Sequence, residues 1–225
     1  MAAASRRRLF VERHLDPASR LGEVLFGLIM VLSVTLTAGL SAADGPAGVR
    51  QLLQAALGCN IAWGIIDGIM YVMNNMTVRA GKAQLIEAIR SAVDRATALD
   101  IVRDQIEPQF ETLTEPQHRE ALSRSILEYL TDGQAPTTRV TAEDLYGALA
   151  CFFEVVLSCL PAAVPFLIFS EPTLALRVSN ALLIAMLFYV GQKWAAYAHT
   201  NRLITGLAMV AIGLALVGVA ILLGG

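Results

Sequence analysis

Five stretches of about twenty residues, each almost free of charge, dominate this chain: 21–40, 52–73, 146–169, 174–197 and 203–223. That length and apolarity are what a helix needs to cross the ~30 Å hydrocarbon core of a bilayer. Inside lipid every backbone N–H and C=O must be satisfied by the protein itself, so only helices and closed barrels span it. None of the stretches alternates as a barrel strand would. The sequence therefore predicts an all-α, polytopic membrane protein with five transmembrane helices. Hydrophobic residues make up 56% of the 225, more than a water-soluble domain of this size needs.

The net charge of −2 matters less than where the charges fall. Basic residues gather in loops on the cytoplasmic side. Arg6, Arg7, Arg8, Arg13 and Arg20 precede the first span, and eight Lys and Arg residues lie between the second and third. Lys193 and Arg202 flank the last connection, whereas the opposite side holds only Arg50 and Arg177. This predicts a cytoplasmic amino terminus, a carboxyl terminus on the other side, and a multi-pass protein of the bacterial inner membrane. No cleavable signal pattern is evident, so the first apolar run reads as a retained span. Cys59, Cys151 and Cys159 all lie in spans without metal or redox spacing and read as buried thiols. His14, His118 and His199 are scattered and read as lone surface histidines.

Four regions follow. Residues 1–20 form a basic cytoplasmic segment without regular structure, whose Arg6–Arg7–Arg8 run faces anionic headgroups or simply sets orientation. Residues 21–76 hold spans one and two, joined by a breaker-rich turn, ADGPAG, at 43–48. Residues 77–145 are polar and helical in pattern, a small cytoplasmic domain between spans two and three. There Leu85, Ile89 and Val93 mark a helix over 79–106 that Pro108 ends or bends. A second helix starts near Pro116, capped by Thr114, and runs to about residue 130. Asp100, Asp104, Glu107 and Glu111 make an acidic helix face. Residues 146–225 hold spans three to five. Thr141 and Asp144 resemble a capping box opening the third, and a short turn, SEPT, at 170–173 links it to the fourth. In span five, Gly213 to Gly218 offer small residues for close helix contact.

Three carboxylates fall inside the spans: Glu23, Asp67 and Glu154. Ionisable groups are costly there and face a pathway or a partner. Counted along their helices at 1.5 Å per residue, Asp67 and Glu154 both lie roughly 12 Å from the cytoplasmic ends of spans two and three. The two acids are thus placed to meet, with Glu23 at the mouth on the same side. Asn60, Gly64, Asp67, Tyr71 and Asn75 recur every three or four residues and share one helix face, flanked by Met70 and Asn74. Carboxylate, amide and thioether together suit a borderline divalent ion such as Fe²⁺ or Mn²⁺. Glu23, Asp67, Met70 and Glu154 are the candidate metal ligands, and Asn60, Tyr71, Asn74 and Asn75 candidates for lining a pathway. The competing reading makes Asp67 a protonated group hydrogen-bonded between helices, with Asn60 and Tyr71 as glue. Pro161 and Pro165 each remove a backbone donor from span three and mark a kink. Ser33, Thr35 and Thr37 in span one either line a polar path or bond back to their own helix.

The five spans with a helical insert after the second, the acids and methionine Glu23, Asp67 and Met70, and the Pro161–Pro165–Phe166 element together resemble the vacuolar iron transporter family. The likeness covers roughly residues 20–225 and lies mostly in architecture. It implies a homodimer that exports Fe²⁺, and often Mn²⁺, from the cytosol in exchange for protons. The ion path would run between two subunits past Glu23, Asp67 and Met70. The chain departs from the family in opening its first span with RLGEVLFG, at 20–27, and in carrying no methionine between Met76 and Met186. The expected partners are membrane lipid, a second copy of the chain and the divalent ion, with no nucleic acid and no permanently bound cofactor. An enzyme is not expected, because no nucleophile stands beside a base and no zinc-protease motif occurs. The rival function is a membrane scaffold that transports nothing and whose cytoplasmic helices bind a partner.

Overall fold

The computed structural model describes residues 10–40, 45–133 and 135–223, and among them it contains helices and no strand. Eight helices follow in chain order: α1 (Phe10–His14), α2 (Pro17–Leu40), α3 (Gly45–Arg90), α4 (Arg95–Phe110), α5 (Pro116–Asp132), α6 (Ala142–Ile168), α7 (Pro172–Ala198) and α8 (Arg202–Leu222). Five of them, α2, α3, α6, α7 and α8, are long and apolar enough to cross a membrane. The chain is by this measure a multi-pass integral membrane protein whose apolar helix faces meet lipid. It divides into two compact units, one made of residues up to Val72 together with those from Ala142 onward, the other of Met73–Thr141.

In the first unit the helix ends follow local chemistry. Asp16 opens α2, accepting hydrogen bonds from the backbone N–H of Ala18 (2.9 Å) and Ser19 (3.1 Å) and from the Ser19 hydroxyl. Those bonds, the Ser19 hydroxyl first, hold the Asp16 carboxyl below its ordinary 3.8. Pro172 sits in the first turn of α7, where a missing N–H costs nothing. His199 takes the left-handed conformation (φ 53°) that ends α7, and Asn201 then caps α8 by accepting from the N–H groups of Leu203 and Ile204.

Helix α2 is the axis of this unit. Leu28, Val31 and Leu32 are buried against Cys159 and Ala162 of α6, Leu183, Leu187 and Val190 of α7, and Val217 of α8. Lipid is as apolar as these side chains, so close packing rather than escape from water holds the helices together. Small residues make that packing possible. A methyl group on Gly191 would lie 2.8 Å from Gly206 Cα, so α7 and α8 touch backbone to backbone there. The buried Thr35 hydroxyl joins Asn180 Oδ1 of α7 at 2.6 Å and also lies 3.0 Å from the Val31 carbonyl, and the Ser33 hydroxyl bonds back to Ile29. Ser179 donates to the Ala162 carbonyl at 2.8 Å. Among its described side chains, the α3 stretch up to Val72 buries a narrow stripe of Leu52, Ala56, Asn60, Gly64 and Gly68 and exposes Ile65, Ile66 and Ile69.

The second unit has its own small core, Ile89, Ala98, Val102 and Leu127, with Leu85, Phe110 and Ile126 packed against it. Arginines finish it. Arg103 joins Asp100 and Glu120 at 2.6 Å each, Glu120 also meets Arg124 at 3.0 Å, and Arg90 donates to the carbonyls of Leu130 and Gly133 at the end of α5.

The structure departs from the sequence reading at several points. The segment before residue 21 is not without structure, since it contains α1 and the first turn of α2, while Arg6, Arg7 and Arg8 lie outside the described residues. Of the predicted turn at 43–48, residues 45–48 already belong to α3; Ala43 and Asp44 lie outside the described residues. Span two and the first helix of the insert are one helix of 46 residues. At 1.5 Å per residue that is about 69 Å, of which lipid accommodates less than half. The predicted helix over 79–106 is cut at residues 91–94, where Asp94 accepts from the Thr97 N–H (2.8 Å) and starts α4 afresh. Pro108 lies inside α4, which ends two residues later. Thr114 does not cap α5; Glu115 holds that position, and the Thr114 hydroxyl bonds back to Phe110. Cys59 is exposed, on the outward side of α3, rather than buried. Gly213 packs on Leu187, but Gly218 meets nothing within 4 Å.

Candidate functional site

Glu23 stands in the second turn of α2 and Asp67 on the buried side of α3, and their carboxyl groups come within hydrogen-bonding reach of each other. Glu23 Oε2 and Asp67 Oδ2 are both buried and without a donor. Neighbouring carboxylates repel each other when both are ionised, and a shared proton or a cation between them relieves that repulsion. Small residues bring the backbones close enough. A methyl group on Gly64 would lie 3.1 Å from Phe152, and one on Gly68 3.0 Å from the Ala148 carbonyl, so α3 rests directly on α6.

Glu154 belongs to the same neighbourhood, close enough for its charge to act on Glu23. It faces a different partner: the Arg20 guanidinium, whose Nε lies 3.2 Å from Glu154 Oε1 while Nη1 lies 3.6 Å from Glu12. The expected meeting of Asp67 with Glu154 is thus replaced by Asp67 with Glu23 and Glu154 with Arg20. Position along a helix follows from the sequence; rotation about its axis does not. Helix α1 packs beside this cluster. Leu15, just after it, is buried with Ala150 and Cys151, the Tyr71 hydroxyl donates to the His14 carbonyl at 3.0 Å, and His14 Nδ1 lies 3.2 Å from Glu143. His14 is accordingly not a lone surface histidine. Tyr71 lies across Gly147, where a methyl group would come 2.0 Å from the ring.

Deeper along α2, a second crossing gathers neutral oxygens. Asn60 is fully buried, donates from Nδ2 to the Ala56 carbonyl at 3.0 Å, and leaves Oδ1 without a donor. That oxygen, Ser158 Oγ and the Val155 carbonyl crowd the space that Gly27 leaves open. Asn60, Gly64, Asp67 and Tyr71 do share the inward side of α3, as their spacing requires. Met70 and Asn74 do not: both are exposed, Met70 to 59%. Asn75 is partly buried and belongs to the second unit. Among the described residues no group of three or more His, Cys, Asp or Glu side chains is arranged to hold a metal ion.

The sequence reading missed Arg20 as a site residue, counting it only as an orientation signal, and missed Glu12, Gly27 and Ser158. One signal was present: Arg20 and Glu23 lie three residues apart at the start of a span, so they share a face of α2. No protein-family model matches this chain, and no curated protein matches it.

Proposed function

We propose that this chain is a divalent-cation transporter that carries Fe²⁺ or Mn²⁺ out of the cytosol in exchange for protons. The observation that carries the reading is the Glu23–Asp67 pair: two neighbouring carboxyl groups, each with a buried oxygen that meets no donor, within a bundle of helices long and apolar enough to span a membrane. Such a pair holds a proton when empty of ion and offers hard oxygen ligands once the proton leaves, which is the exchange an ion/proton antiporter performs. The amino terminus and the Met73–Thr141 unit lie in the cytoplasm on this reading, as the distribution of Lys and Arg favours. The resemblance to the vacuolar iron transporter family adds a homodimer with its path between two copies. Met70, exposed on the single chain, then lies at the contact between them.

Reconstituted in liposomes, the chain moves Mn²⁺ and Fe²⁺ when a proton gradient is imposed. Asp67→Asn and Glu23→Gln each lower the initial rate at least about tenfold while the protein stays folded, one lost charge–metal contact being enough for that factor. Asp67→Asn transporting at the parent's rate defeats the proposal. A scaffold function draws on the separate core of the Met73–Thr141 unit. It predicts that Mn²⁺ leaves the melting temperature unchanged, whereas a transporter with a site is stabilised by its ligand.

A further inference from the structure

We propose that the α7–α8 hairpin binds an anionic phospholipid, its phosphate held by Lys193 and Arg202 beside the exposed rings of Tyr189 and Tyr197. From Pro172 to Gly225 the chain carries Arg177, Lys193 and Arg202 and not one Asp or Glu, so the hairpin cannot neutralise its own cations. Lys193 and Arg202 stand at the end where α7 gives way to α8. Both are exposed, and among the described residues neither forms an ion pair. Tyr189, Lys193 and Tyr197 recur every four residues and so share one side of α7. All three are exposed, whereas Leu187, Val190 and Gly191 among them are buried. The Lys193 ammonium lies over the Tyr189 ring, 5.1 Å from its centre, one turn back from the hairpin end.

Depth says what meets this cation. The 27 residues of α7 are about 40 Å long, against ~30 Å of hydrocarbon. Centred on that core, α7 sets Lys193 at its edge and Tyr189 one turn inside. An exposed cation at that level is costly unless an anion reaches it, and the face of one ring supplies only part of the attraction. The anion present at that level is the lipid phosphate. A zwitterionic lipid carries its own ammonium beside the phosphate; an anionic one leaves its charge free for Lys193 and Arg202. Tyrosine suits the boundary, with its ring among acyl chains and its hydroxyl toward the headgroups. At the same end of α8, Leu203, Ile204 and Leu207 are exposed and offer apolar surface to the chains.

The test uses the full-length chain carrying Trp63→Phe, which leaves Trp194, next to Lys193, as the sole tryptophan. In phosphatidylcholine vesicles, brominated phosphatidylglycerol added as a minor component should quench Trp194 more than the same fraction of brominated phosphatidylcholine. The apparent affinity for phosphatidylglycerol should fall about fivefold in Lys193→Gln, the worth of one basic side chain at an anionic surface, and stay near the parent in Lys193→Arg. Arg202→Gln should weaken it by a similar factor, and Tyr189→Leu by less. Equal quenching by the two lipids in the parent overturns the proposal, as does a preference unchanged in Lys193→Gln. Competition by inorganic phosphate overturns it too, since the ligand would then be a free anion. Native mass spectrometry decides the matter if Trp63→Phe does not fold. Phosphatidylglycerol retained by the unaltered chain and lost from Lys193→Gln supports the proposal; equal retention defeats it. A second copy seated on this face would show as a dimer that Lys193→Gln breaks without any lipid preference, and that outcome also defeats it.

Discussion

Gly27 shows how much a single hydrogen decides in this bundle. A methyl group there would come 1.9 Å from Ser158 Oγ and 2.9 Å from the Val155 carbonyl. The hydroxyl can turn aside; the carbonyl cannot. Gly27→Ala is expected to lower stability by about 1–3 kcal/mol, the usual cost of overpacking. Adding Ser158→Ala should restore only part of it, and thermal unfolding in detergent measures both. The same crossing explains what could be read of the candidate site beforehand. Helical spacing placed Asn60, Gly64, Asp67 and Tyr71 on one side of α3, and their burial agrees. The partner of Asp67 could not be read. The first three spans carry one acid each, and choosing which two meet requires the rotation of three helices about their axes, set by contacts such as Gly27 with Ser158 and Gly68 with Ala148. Arg20 was hidden for another reason. An arginine before a span reads as an orientation signal whether or not its guanidinium reaches a carboxylate.

At the scale of the elements, apolar length made the five spans legible, and the structure places helices over all five. Boundaries in the polar insert were less so. Between Met73 and Arg90 there is no proline, and Gly81 alone does not stop a helix, so α3 continues where the change in composition suggested a break. At 91–94 the reverse holds: Val93 continued the apolar repeat, but Asp94 accepts from the Thr97 N–H and ends the run. Pairing between α4 and α5 gives this unit a pH response. Hydrogen bonds from Arg103 and then Arg124 hold the Glu120 carboxyl below its ordinary 4.5. A lowered carboxyl contributes stability that is complete above its unfolded value and disappears as pH falls through its folded one. Thermal midpoints of the whole chain, followed by the unit's helical signal, should therefore be flat near neutrality and drop below about pH 4.5. Glu120→Gln should have a lower midpoint near neutrality and a shallower acid slope. An identical slope in the variant would remove Glu120 from the explanation.

For the whole molecule, the five crossings we propose carry a simple topological expectation: the segment before α2 and the segment after α8 should emerge on opposite faces of the membrane. Small epitope tags placed at those two points should be reached by antibody from opposite sides of sealed vesicles; accessibility from one side would reduce the number of true crossings to an even one. The Met73–Thr141 unit, with its core of Ile89, Ala98, Val102 and Leu127, accounts for the bulk of the polar chain between the spans. The connection between α7 and α8 bears on how such a molecule is made. Only His199, Thr200 and Asn201 separate the two helices, and Gly191 lies against Gly206 just beyond that bend. So short a connection leaves the two helices almost no freedom to find other neighbours, and α7 and α8 are expected to associate first, as a hairpin, with the rest of the bundle docking on a pair already matched.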